Sequence, residues 1–127
     1  MKHTFQKGMG LIEVLVTVVL LATALLALAA LQTRSLQYNS SAYLRSQANI
    51  IAYDLMEQVR ISSSMSGAPT TPSEADRKAL VADLPEGKAD VSCDGRVCTV
   101  SITWTEPTLD KGEGTNEKST FSYQTRV

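Results

Sequence analysis

Leu11-Ile12-Glu13-Val14-Leu15-Val16-Thr17-Val18-Val19-Leu20-Leu21, continuing through Leu31 to Thr33, is the stretch on which the fold turns. Val14 to Thr33 spans 20 positions without a charged residue, and Val14 to Leu31 is interrupted only by Thr17 and Thr23. As a helix at ~1.5 Å per residue, the latter run measures about 27 Å, close to a bilayer core of ~30 Å. Lys2 and Lys7 precede it and no acidic residue lies between Met1 and Gly8. That bias keeps the N-terminus cytoplasmic and sends the body across the membrane. A secretory signal peptide is the rival reading, with Ala27-Leu28-Ala29 as its cleavage site. Glu13 separates the two. A carboxylate near the membrane interior costs ~2.5–3.5 kcal/mol, and residues that bear this cost are usually functional. The plainer alternative places Glu13 at the interface, reaching headgroups or water.

The rest of the composition is that of an ordinary polar domain. The chain has 127 residues, 43% hydrophobic and 20% charged, one domain's worth by length. All four prolines, and every Trp, Tyr and Phe except Phe5, fall after Thr33. A net charge of −1 gives no electrostatic case for nucleic-acid binding. The one histidine, His3, lies ahead of the apolar run, so a Ser–His or Cys–His nucleophile has no base in the body. Two cysteines do not make a four-ligand zinc site, and no Gly-rich phosphate loop is present. The reading is a non-enzyme with no catalytic residue, cofactor or metal.

Gly8-Met9-Gly10-Leu11-Ile12-Glu13-Val14-Leu15-Val16 resembles the processing site of type IV prepilins and pseudopilins. The resemblance implies cleavage of a leader, residues 1–8, between Gly8 and Met9 by a membrane-embedded prepilin peptidase. Met9 then becomes the N-methylated first residue; the family most often has phenylalanine there. It also implies a role for Glu13 in subunit registration. The Met9 amine of one subunit meets the Glu13 carboxylate of a neighbour, and the two buried charges offset each other only when subunits dock in register.

No Gly or Pro interrupts the 56 residues from Leu11 to Ser66, and their Ala, Leu, Gln and Arg content favours one helix over 9–61, about 80 Å long, with 14–31 in the membrane. Beyond the span, Leu44, Ala48, Ile51, Leu55 and Val59 form an apolar stripe, while Tyr43, Ile50, Asp54 and Glu57 form a mixed one facing solvent or other subunits. Leu44-Arg45-Ser46-Gln47-Ala48 and Ala52-Tyr53-Asp54-Leu55-Met56 are similar to the stem of the PilV-type minor pilins.

Residues 62–127 read as an exported globular domain. Ser62–Pro72 is a connecting loop; Ser73-Glu74-Ala75-Asp76 caps a short helix through Asp83, with Leu80 and Leu84 inward; Pro85-Glu86-Gly87 stops it. Three alternating runs follow: Ala89, Val91, Cys93; then Cys98, Val100, Ile102, Trp104; then Phe121, Tyr123. Asp94-Gly95 turns the first into the second, so the sheet is antiparallel with one face on the helix. Glu106–Lys118 reads as a polar loop of the kind that carries partner contacts. Cys93 and Cys98 flank the turn with matching face parity; a disulfide permitted by export and two free buried thiols are both open.

The expectation is therefore an α+β, type IV pilin-like fold: a long N-terminal helix, membrane-spanning in its first half, packed on a small antiparallel sheet. The resemblance implies a minor pilin that primes or modulates type IV pilus assembly and enters the fibre. Its partners would be the prepilin peptidase, other minor pilins, the major pilin, the assembly platform and a single-pass membrane contact. It would reside in the bacterial inner membrane, body periplasmic, and then in the pilus. A minor pseudopilin of type II secretion and a pilus-associated adhesin are the alternatives.

Overall fold

The computed structural model describes residues 9–107 and 116–127. Helix α1 runs Met9–Ser66, α2 Glu74–Leu80, and three strands follow: β1 Lys88–Asp94, β2 Val97–Pro107 and β3 Asn116–Arg126. The sheet is antiparallel in the order β1-β2-β3. This is the expected α+β arrangement, a long apolar N-terminal helix with its later part on a three-stranded antiparallel sheet. The chain divides into two compact units, 1–38 and 39–127, so the second half of α1 belongs with the sheet.

The core lies in the second unit. Leu44, Ala48, Ala52, Leu55, Met56 and Val59 of α1 pack with Ala89 of β1, Cys98, Val100, Ile102 and Trp104 of β2, and Val81 and Leu84 between them. The buried stripe includes Ala52 and Met56 where Ile51 was expected at the centre; Ile51 sits half-buried at its margin. Ala48 and Ala52 are both fully enclosed, and such small side chains let a helix backbone come close to a sheet. Tyr43, Ile50, Asp54 and Glu57 are exposed, as the mixed stripe required.

Helix α1 continues past Ile61 because its serines serve its own backbone. Ser62 Oγ donates to Val59 O at 2.7 Å and Ser66 Oγ to Ser62 O at 2.7 Å. The helix stops at Gly67, whose φ of 77° is a left-handed conformation suited to glycine and whose N–H reaches Ser63 O at 2.9 Å. Ser73 caps α2 as expected, accepting from Asp76 N at 3.2 Å, but α2 closes at Leu80, short of Asp83. Val81 and Leu84 then turn into the core, and Gly87 folds back beneath them. A Cβ at Gly87 would lie 2.5 Å from Val81 O and 2.9 Å from Leu84 Cβ, so only glycine fits.

The largest difference from expectation concerns the proposed loop at Glu106–Lys118. Strands β2 and β3 reach into it from both sides, pairing Thr105 with Lys118, Glu106 with Glu117 and Pro107 with Asn116. Its middle, 108–115, lies outside the described residues.

Candidate functional site

In the first unit every side chain from Gly10 to Tyr38 is exposed, including Leu11, Ile12, Val14, Leu15 and the apolar residues through Leu36. Among the described residues, α1 is the one helix long and apolar enough to cross a membrane. An uncovered apolar surface of this extent marks a site of contact with lipid or protein. Its few polar side chains are matched to such a setting. Thr17 Oγ1 donates to Val14 O at 2.8 Å, Thr23 Oγ1 to Leu20 O at 2.9 Å and Thr33 Oγ1 to Ala29 O at 3.1 Å, so these three hydroxyls are satisfied by the helix's own backbone.

Glu13 stands at the start of this surface. It is exposed, and among the described residues its carboxylate has no hydrogen-bond or ionic partner. Met9 is the first residue of α1, four positions earlier and so about one turn away along the helix. Gly8, the other half of the expected cleavage site, lies outside the described residues.

The second unit holds a carboxylate that periodicity alone did not single out. Glu106 continues the inward face of β2 after Cys98, Val100, Ile102 and Trp104, and is 7% exposed. Its Oε2 accepts from Ser41 Oγ at 2.7 Å; its Oε1 accepts from Arg45 Nη2 at 3.2 Å and from Ser119 Oγ. Burial pushes the Glu106 carboxyl up, but the hydrogen bonds from Ser119, Ser41 and Arg45, together with the Arg45 charge, outweigh it and hold the group below its ordinary value. Ser41 and Arg45 lie one turn apart on α1 and Ser119 on β3, so one carboxylate ties the helix to both strands of the hairpin. With both oxygens engaged as acceptors it acts as a fastener rather than as a base. The signal that locates it is parity: Glu106 falls on the even-numbered inward face, where local rules read a charge as the end of the strand.

Cys93 and Cys98 are joined in a disulfide, directly opposed across β1 and β2 with Cα atoms 4.0 Å apart. Of the two readings left open by the sequence, the bridge is the one present. It locks the β1–β2 turn at the edge of the core. Among the described residues no group of three or more His, Cys, Asp or Glu side chains is placed to hold a metal ion.

No family model, curated protein or solved structure matches the chain.

Proposed function

We propose that this protein is a minor pilin of a type IV pilus, a non-catalytic subunit that primes or modulates fibre assembly. The observation that carries the reading is the bare apolar half of α1 with one carboxylate, Glu13, that has no partner among the described residues and lies one turn from Met9, the residue that follows Gly8. In this reading a prepilin peptidase cuts after Gly8 and the new Met9 amine is methylated. The apolar helix holds the subunit in the inner membrane, with the disulfide-bonded body in the periplasm, until the assembly platform passes it to other minor pilins and the major pilin.

The chemistry of docking follows from the cost of the charges. An uncompensated carboxylate in the apolar phase costs ~2.5–3.5 kcal/mol, and an amine costs a comparable amount. A neighbour displaced along the helix axis can bring its amine against Glu13, so both penalties fall only at one stagger. The pair selects register; the apolar face supplies the contact area.

Glu13→Ala tests this. The variant should be cleaved and membrane-resident, because neither Gly8 nor the apolar run is altered, yet absent from sheared surface fibres. Fibres carrying Glu13→Ala at the wild-type level would refute the registration role. Mass spectrometry that found the mature chain starting near Ala30 would refute the pilin reading itself.

A further inference from the structure

The two edges of the sheet are finished differently. The start of β1 is covered: α2 packs on it, and Arg77 Nη1 donates to Ala89 O at 3.1 Å and sits 3.5 Å from Asp90 Oδ1. β3 forms the other edge, and among the described residues no strand pairs with its side away from β2. The hydrogen-bond phase of the sheet can be read from its ends. Val127 N–H donates to Arg96 O, so the odd-numbered residues of β3 bond to β2 through an unbroken register. The same alternation leaves Ala89 O facing outward on β1, where Arg77 takes it. The N–H and C=O groups of Lys118, Thr120, Ser122, Gln124 and Arg126 therefore point out from the open edge. Eleven residues of strand with no proline form a ready template for another strand.

A groove of about 540 Å³ lies beside this edge, lined by Arg45, Ser46 and Asn49 of α1 and by Trp104, Thr120 and Phe121. Trp104 is 2% exposed, and its indole Nε1–H has no acceptor among the described residues. A buried donor without a partner is costly, and an acceptor brought by a bound chain would pair it. The charged side chains on the outer face of β3 are basic, Lys118 and Arg126, with Glu117 on the other face, and the two-thirds-exposed guanidinium of Arg45 lies at the groove with its counter-ion Glu106 buried.

We propose that the β3 edge and the adjoining Trp104 groove are a docking site for an extended acidic strand of another protein, added antiparallel or parallel to β3. Main-chain hydrogen bonds supply the contact, and acidic side chains opposite Lys118 and Arg126 supply the selectivity. A second copy of this chain fits less well. Directly opposed residues share a face, and Glu117 lies on the opposite face from Lys118 and Arg126, so no β3–β3 register that matches the faces gives either cation an acidic partner. The inference rests on residues 39–127 and stands apart from the membrane segment and its function.

The test uses the full chain in detergent micelles and a blocked peptide of about ten residues alternating glutamate and valine. Trp104 is the only tryptophan, so its emission reports the groove. Saturable change with the glutamate peptide, and at least ~10-fold weaker binding of the lysine–valine analogue at low salt, is expected. The double variant Lys118→Glu, Arg126→Glu should invert that preference. Ser122→Pro removes one outward N–H and should weaken binding ~10-fold with an unchanged circular dichroism spectrum. If that variant misfolds, a peptide N-methylated at alternate residues, with the wild-type chain, asks the same question. Absence of binding, equal binding of both peptides, or a preference that survives charge reversal would overturn the proposal. Tighter binding of a peptide of residues 116–126 would assign the edge to a second copy instead. An equal emission change with acetate alone would reduce it to a simple anion contact.

Discussion

Glu106→Ala is the sharpest probe of how the body of this protein is held together. The substitution removes the acceptor for Ser41, Ser119 and Arg45 at one buried position. A hydrogen bond to a charged group contributes ~1.5–3 kcal/mol, but the two hydroxyls can turn to other acceptors and recover part of it. The Arg45 contribution is small, about 0–1 kcal/mol, because its side chain is 66% exposed and screened by solvent. The net loss should be ~2–3 kcal/mol, which for a folded unit of this size lowers the melting temperature by roughly 10–20 °C. Glu106→Gln keeps the shape and one acceptor, and should lose ~1 kcal/mol. Acidity gives the discriminating measurement. The folded carboxyl lies below its ordinary value of 4.5, so the unfolded chain takes up the proton more readily. The stabilisation is complete above 4.5 and declines as the pH falls through the lowered value; Glu106→Gln has no such component. Thermal melts from pH 7 to pH 3 should therefore converge for wild type and Glu106→Gln. Parallel pH profiles, or a Glu106→Ala loss below ~0.5 kcal/mol, would refute the fastener role.

Three further outcomes can be checked on the same protein. The Cys93 and Cys98 thiols should resist alkylation in denatured envelope protein until reductant is added, and Cys93→Ser should cost about 2 kcal/mol by loop-closure entropy, without affecting cleavage. Gly87→Ala should lower stability by ~2 kcal/mol in chemical denaturation, because its Cβ meets the Val81 carbonyl at 2.5 Å; a neutral result would mean the Pro85–Gly87 turn yields easily. A bulky residue in place of Gly8 should leave an unprocessed precursor on immunoblots, whereas normal processing of Gly8→Leu would sink the assignment of the scissile bond.

The long helix, the polarity of its two halves and the inward face of β2 were all legible in the sequence, because each is a repeat of local pattern. Absence of Gly and Pro from Leu11 to Ser66 speaks for helix whatever the chain later touches, and alternation from Cys98 to Trp104 speaks for a half-buried strand. Glu106 shows where that logic ends. Locally a charge beside a proline reads as loop; what makes it strand is a set of donors at Ser41 and Arg45, more than sixty residues away in the chain, brought within hydrogen-bond reach only by folding. The extension of α1 to Ser66 has a similar cause, since Ser62 bonds both Val59 O and the backbone around Thr70. Strand order belongs wholly to the tertiary level. A sequence of three alternating runs does not say which is central, and it is the central place of β2 that covers the β1 side with α2 and leaves β3 open. Short-range periodicity records which face of an element is buried; which edge remains free depends on what packs beside it, and that is decided by contacts between residues far apart in the chain.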